Sequence, residues 1–433
     1  MEMPAQPSGL ARSVGIGGVA AFVLNGIVGA GVFAFPALVA AQAGGAAPLV
    51  VVLVGVVLLP VVLVMARLAT LYRGTGGPIL YVEEAFGRTA GFQIGWMQLL
   101  SSLSALAANV NVLADYLLRA AGIGTATPAL ATVLHPLLVA GAIALLALLN
   151  LGRVAGVSRL LQLGSVAKLA PLVLLIVLAV PVALAGGAAP ADAAGQDLVK
   201  AGLVAAFAFV GFEGALTVAG EARHPERDMP RAVILVFAGV TALYALLCWA
   251  YVAIAFAPGP VDTAPLATLA ARLIGGAGAL VVTLTAAISV LGNTMFTVLI
   301  SSRRLVVFAG QGTAPGWFGR LSVPGAVPRN AVVAICAVAA LLALSGGFTA
   351  LALISVASRL LVYLGCIAAL PVIERRRGLG SGTAQRVVLV AAALVALALI
   401  AGTQPAAWLG LGAAVASGAV VYALGGRGAR KPG

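Results

Sequence analysis

A chain of 433 residues that is 62% hydrophobic and only 9% charged is not an ordinary soluble domain, where roughly a quarter of residues are charged. Its formal net charge of +13 invites a nucleic-acid reading, but the basic residues alternate between loops and lack interleaved aromatics, which excludes that class. Most of the chain divides instead into apolar runs long enough to cross a bilayer.

About twelve such runs can be read, at 14–40, 46–70, 90–120, 128–150, 158–186, 197–220, 231–257, 272–308, 330–346, 348–373, 386–402 and 406–425. They imply an all-α integral membrane protein forming a single transmembrane domain over 1–433, with short outer loops and no soluble domain. The first run is too long for a cleavable signal peptide, and it is interrupted. Asn25-Gly26-Ile27-Val28-Gly29-Ala30-Gly31-Val32-Phe33-Ala34-Phe35-Pro36 places three glycines and a proline mid-span, which weakens a helix there. Lipid cannot satisfy the freed backbone groups, so a broken helix is tolerated only where it is buried or lines a cavity. Transporters use such breaks to hold a substrate and its coupling ion. The same glycines also permit close helix packing, which is the competing reading.

Charge along the chain sets an orientation. Arg12 precedes the first span. Arg67, Arg73 and Arg88 surround the loop after the second, Arg153 and Arg159 follow the fourth, and Arg223, Arg227 and Arg231 follow the sixth. Arg303, Arg304, Arg320 and Arg329 follow the eighth, Arg375, Arg376, Arg377 and Arg386 the tenth, and Arg427, Arg430 and Lys431 the last. The alternate loops hold Arg119, Lys200 and Arg272. This positive-inside pattern places both termini in the cytoplasm and the protein in the cytoplasmic membrane.

Ionisable and polar groups inside spans are functional candidates. In the third span, Asn109 and Asn111 could face a pathway or join helices, and Asp115 and Arg119, one turn apart, read as a surface pair. In the fifth, Lys168 lies about 15 Å along a helix starting near Ser158, at 1.5 Å per residue. That is mid-bilayer, where a lone ammonium is either a proton carrier or a structural cation bonded to carbonyls. The sixth span, Ala206-Phe207-Ala208-Phe209-Val210-Gly211-Phe212-Glu213-Gly214, is a second interruption, with a carboxylate added. Glu213 could relay protons, pair with Arg359 in the tenth span, or hold the break by hydrogen bonds. Asn293 and Thr294 lie in the eighth span as pathway or packing groups. Spans one and six are five apart, so they correspond in two five-helix halves, 14–186 and 197–373, with a binding site expected between them. Cys248, Cys336 and Cys366 read as small core residues. His135 and His224 show no metal-ligand partner. No phosphate-binding loop, catalytic carboxylate pair or nucleophile triad is visible, so neither enzyme chemistry, metal nor cofactor is expected.

These motifs resemble the amino acid–polyamine–organocation transporters. Gly29-Ala30-Gly31-Val32-Phe33 with Pro36 is similar to the first-helix motif of that family. Phe207 to Glu213, continuing through Gly220-Glu221-Ala222-Arg223-His224-Pro225-Glu226-Arg227-Asp228-Met229-Pro230-Arg231, resembles its sixth helix and the loop after it. Gly74-Thr75-Gly76-Gly77-Pro78 with Tyr81 resembles the loop after helix two, and Ser302-Arg303-Arg304 through Gly319 to Pro328-Arg329 the segment after helix eight. The likeness runs in order from about 14 to 375.

The resemblance implies a leucine-transporter-like fold: ten core helices in two inverted repeats, plus two peripheral helices at 386–425. It also implies alternating access for an amino acid or related amine. The chemistry agrees. Free N–H groups near Gly29, Ala30 and Gly31 suit a carboxylate, and carbonyls around Ile27, Phe207, Ala208 and Val210 suit an ammonium. Phe207 and Phe209 could cover the site, as aromatics do in similar transporters. Ala30 stands where some relatives carry serine, leaving recognition to the backbone. In proton-coupled members a fifth-helix lysine fills the sodium position, and Lys168 within Gly164-Ser165-Val166-Ala167-Lys168-Leu169 is similar to it; some exchangers keep this lysine without proton coupling. The expectation is thus a permease carrying a neutral amino acid with protons, embedded in lipid, needing no obligate protein partner. An exchanger without proton coupling and an amine or polyamine carrier are the alternatives; the latter would need more acidic pocket residues than Glu213 and Asp115. An ion channel fits poorly, for want of a charged ring or a repeated carbonyl filter.

Overall fold

The computed structural model describes residues 15–72, 77–123, 127–152, 168–185, 197–216, 223–322, 327–380, 382–403 and 405–428. The described part of each predicted run is mostly helical, the first run broken at 28–30 and the sixth at 210–212. In order the helices are α1 (Ile16–Ile27), α2 (Gly31–Ala43), α3 (Ala47–Leu71), α4 (Pro78–Phe86), α5 (Arg88–Ala120), α6 (Pro128–Leu151), α7 (Leu169–Leu184) and α8 (Leu198–Phe209). There follow α9 (Glu213–Leu216), α10 (Pro225–Ile254), α11 (Pro265–Gly310), α12 (Arg329–Ser345), α13 (Phe348–Arg376), α14 (Thr383–Ala401) and α15 (Pro405–Gly428). Five of these begin on proline, whose missing N–H costs nothing at the first helical position. Among the described residues, seven helical stretches are long and apolar enough to cross a membrane.

The surface is inverted relative to a soluble protein. Helix α6 buries Val139, Ile143, Leu146 and Asn150, spaced four, three and four residues, a single stripe along one face. Its other faces are apolar and open, with Leu137 at 61% and Leu148 at 68% exposure. Helices α7 and α14 repeat the pattern, burying Leu172, Leu175 and Ala179, and Ala392, Ala396 and Ile400. In water such faces would aggregate; in lipid they are solvated. Helix α5 is buried along nearly its whole length, and with α2 and α8 forms the centre. Small residues bring helices close. Where α3 meets α10, a Cβ on Gly55 would fall 2.5 Å from the Thr241 methyl, so this pair packs nearly backbone to side chain.

Sequence and structure differ at a few boundaries. Helix α10 begins at Pro225, before the expected 231, and α4 folds part of the loop after the second span into a turned helix. Helix α11 begins at Pro265 and contains a sharp kink at Ile274 and Gly275, where Gly275 takes φ 74°; the expected span at 272–308 is the part beyond that kink. Asp115 pairs with His135 at 3.4 Å, while Arg119 donates to Thr268 at 3.1 Å, so the expected Asp115–Arg119 pairing is replaced by two contacts between helices. The start of the fifth span, with Ser158 and Gly164 to Ala167, lies outside the described residues, as do Gly74 to Gly76 and Gly220 to Ala222. The cysteines are buried in the core.

Several loop arginines are structural partners. Arg377 makes a bidentate contact with Glu84, 3.0 Å to Oε1 and 2.9 Å to Oε2, donates to Leu71 O at 2.6 Å, and lies over the Tyr72 ring at 4.7 Å. Arg67 reaches buried Glu374 at 2.9 Å. These contacts clamp the ends of α3, α4 and α13. Burial alone would raise the Glu84 carboxyl, but hydrogen bonds from Arg377 and Tyr72 and the charges of Arg377 and Arg376 outweigh it and hold it below the usual 4.5. Folded Glu84 therefore binds fewer protons than unfolded Glu84 near that pH, so its contribution is present above it and lost as pH falls through the folded value. Thermal melts in detergent from pH 7 down to pH ~4 should show wild type losing more stability than Glu84→Gln across that window; parallel curves would remove the clamp.

Candidate functional site

Two interrupted helices cross at the centre of the bundle. Helix α1 stops at Ile27; Val28 leaves helical geometry (φ −82°, ψ 80°), and α2 restarts at Gly31 behind Ala30. Helix α8 stops at Phe209; Val210 is extended (ψ 155°), Gly211 takes φ 119°, and α9 restarts at Glu213. The breaks touch through glycine. A Cβ on Gly211 would lie 2.2 Å from Gly26 O, and one on Gly26 would lie 2.6 Å from Gly211 O. No side chain fits between these backbones, and the Gly211 φ is strained for any other residue.

Each break leaves backbone groups to be satisfied. Gly29 N–H donates to Ile27 O at 3.0 Å and Phe33 N–H to Ala30 O at 3.0 Å. Between them, Ala30, Gly31 and Val32 present N–H groups at a helix start with no side-chain cap. Carbonyls on the other side of the break are gathered by donors from three directions. Lys168 Nζ donates to Val28 O and, at 3.1 Å, to Asn25 Oδ1. Tyr244 of α10 donates to Ile27 O at 3.3 Å, and Ser289 of α11 to Gly29 O at 3.4 Å. Asn293 Nδ2 donates to Asn25 O at 2.7 Å, and Asn109 Nδ2 to Asn293 Oδ1 at 3.1 Å. On the far side of the break, Tyr116 of α5 donates to Phe33 O at 2.7 Å and accepts from Leu266 N–H at 3.2 Å.

The second break is held by a buried ion pair. Glu213 Oε1 meets Arg359 Nη1 at 2.9 Å. Its other oxygen accepts from Gly211 N–H at 3.1 Å and from Tyr363 at 2.8 Å, while Arg359 Nε donates to Ser101 at 2.9 Å. Such a pair survives desolvation because its remaining lone pairs and protons are used.

Around the crossing lies a cavity of about 90 Å³. Of the residues singled out from the sequence, Ile27, Gly29, Ala30, Gly31, Asn109, Phe207, Val210, Glu213, Asn293 and Arg359 line it. Ala208, Phe209 and Lys168 do not. Ala208 backs the first break, its Cα 3.1 Å from where a Gly31 Cβ would be. Phe209 is fully buried, its ring 5.4 Å from both Phe237 and Tyr244. Lys168 acts from behind, on the break's carbonyls. Phe207 packs edge-on to Phe348 at 5.3 Å.

The wall also holds Gln98 and Arg304. Arg304 reads from sequence as a loop charge beside Arg303, yet only Arg303 is exposed; Arg304 is 8% exposed and faces inward. A one-residue step turns a helical side chain by about 100°, which separates neighbours in sequence onto different faces. Asn25, Tyr244, Tyr363 and Ser101 were not singled out either. Asn25 had a signal, being the polar residue opening the interrupted motif; the other three depend on which helices meet.

Two outcomes test this geometry. Gly211→Ala should destabilise the protein strongly in a detergent melt and abolish function, because both the backbone angle and the Gly26 contact forbid it. Arg359→Ala should cost about 3–5 kcal/mol by leaving Glu213 buried and unpaired, and pairing it with Glu213→Gln should recover part of that loss. If Arg359→Ala melts like wild type, the ion pair does not hold the break.

Comparison with known proteins adds a lineage. The family profile described as amino acid permease matches residues 16–423. An uncharacterized transporter of Mycobacterium tuberculosis is 30% identical over 349 residues, covering 78% of this chain and 74% of the relative. The large neutral amino acids transporter small subunit 2 of Rattus norvegicus is 26% identical over 347 residues, covering 76% and 63%. An uncharacterized amino acid permease of Bacillus subtilis is 26% identical over 329 residues, covering 73% and 74%.

Proposed function

The chain belongs to the amino acid permease family, a multi-pass membrane transporter, and from that premise we propose that it moves a neutral amino acid across the cytoplasmic membrane by proton-coupled alternating access. The observation that carries this reading is the crossing of the two breaks at the cavity, with Lys168 bonded to the first break's carbonyls. Amino acids share a carboxylate and an ammonium. The uncapped N–H groups of Ala30 and Gly31 suit the first, aided by the positive end of the α2 dipole. Carbonyl oxygens at the end of α8 suit the second. Phe207, in the wall beside them, suits an apolar side chain. The neutral class draws support from the pocket, whose one carboxylate among the described residues, Glu213, is already engaged by Arg359, and from the name of the rat relative.

The two breaks support an inverted pair of five-helix halves, at 14–186 and 197–373, with 386–425 peripheral. Alternation would then be a rocking of one half against the other about the Gly26–Gly211 contact. The basic loops support cytoplasmic termini.

Lys168 supplies the coupling in this reading. Its ammonium is held by Val28 O and Asn25 Oδ1. Movement of α1 and α2 that breaks these bonds would leave an unpaired buried charge, which favours losing the proton. An exchanger is the second reading, favoured by the same contacts: both acceptors are oxygens, and both hold the charged form.

Proteoliposome uptake decides. A thermal-shift panel of the common amino acids identifies the substrate, and uptake is then measured with and without an inward proton gradient. Wild type should concentrate substrate only with the gradient. Lys168→Ala should bind substrate within about tenfold of wild type yet fail to concentrate it, since it removes the ammonium held at the first break and leaves the N–H groups at the start of α2 in place. Uptake indifferent to the gradient, with intact counterflow, would make the protein an exchanger and Lys168 a structural cation.

A further inference from the structure

Arg304 is the charge the site so far leaves unused. Along α11, Asn293, Thr297, Ile300 and Arg304 line the cavity at steps of four, three and four, one continuous helical face. Arg304 therefore lies about 16 Å along the axis from Asn293, which touches the first break, at 1.5 Å per residue. It is 8% exposed. Among the described residues its buried Nη1 has no hydrogen-bond partner and it forms no ion pair. Glu213, the carboxylate in the same wall, is taken by Arg359 at 2.9 Å. Among the described residues the cavity wall carries two guanidinium groups against one carboxylate. A buried charge left unpaired is costly, and a planar guanidinium fork matches a carboxylate in geometry. The same wall holds an orphan of opposite kind: Gln98 Oε1 is buried and, among the described residues, accepts no hydrogen bond.

We propose that Arg304 is a second carboxylate-binding position, separate from the start of α2, at which the transported amino acid pauses between the crossing and the side bearing the basic loops, with Gln98 accepting from its ammonium. Arg304 donates through Nη1 to the carboxylate, which gives its guanidinium a counter-charge at hydrogen-bond distance, while the ligand's ammonium is held apart at Gln98. The passage of cargo rests on the amino acid reading above; the carboxylate site does not.

The test uses the full-length protein in nanodiscs and proteoliposomes, with Arg304→Gln, Arg304→Leu and Arg304→Lys. Acetate should raise the melting temperature of wild type and Arg304→Lys beyond equimolar chloride, and should not do so for Arg304→Gln. Arg304→Leu should melt higher than wild type without ligand, because an unpaired buried charge has been removed. In counterflow with the panel of neutral amino acids, Arg304→Gln should raise the half-saturating concentration about tenfold or more on the basic-loop side, the scale of one charge-assisted hydrogen bond, and leave the opposite side unchanged. Acetate acting no better than chloride means an adventitious ion only and overturns the proposal. So does Arg304→Leu melting below wild type with both half-saturations shifting together, which is the mark of a structural arginine. If acetate behaves as expected but wild type carries no neutral amino acid, the carboxylate position stands and the cargo assignment falls.

Discussion

The rest of the structure depends on one backbone contact, Gly26 against Gly211. Two helices that cross a membrane intact have no free backbone groups to offer. Two that break at their point of contact offer several, and the contact itself can form only if neither carries a side chain. Once the backbones meet, the exposed carbonyls of Ile27, Val28 and Gly29 must find donors in a place water does not freely reach. Lys168, Tyr244 and Ser289 supply them. On the facing strand of chain, the Gly211 N–H finds Glu213, which then needs its own counter-ion, and Arg359 provides it. Each polar residue in the centre is thus a consequence of the one before it.

This ordering explains why Glu213, Arg359 and Lys168 are each tied to partners. In low dielectric a charge is either paired, bonded to oriented dipoles, or a liability. Glu213 and Arg359 take the first route and Lys168 the second. The arginines of the loops divide differently. Arg377 and Arg67 are partners of Glu84 and Glu374 and clamp helix ends, whereas Arg303 is exposed. A single statistical signal, the clustering of basic residues in alternate loops, therefore covers residues doing separate physical jobs.

The sequence alone determined the all-α membrane class, the approximate positions of the helices, the two interruptions and several of the residues that line the cavity, among them Ile27, Gly29, Ala30, Gly31 and Val210. It could do so because these follow from local quantities: a run of apolar residues as long as the bilayer is thick, and glycines where a helix cannot afford to break without purpose. Lys168, Glu213, Asn293 and Arg359 were also legible, since an ionisable or amide group inside an apolar run is conspicuous by itself. What only the tertiary structure decided is which helices meet and which way each side chain faces. That Asp115 joins His135, that Phe209 turns into the core while Phe207 turns to the cavity, and that Tyr363 and Ser101 complete the Glu213–Arg359 pair all require the packing of helices far apart in sequence. Arg303 and Arg304 make the point most sharply. They are identical residues side by side, and only the 100° between successive positions on a packed helix sends one outward and the other into the cavity.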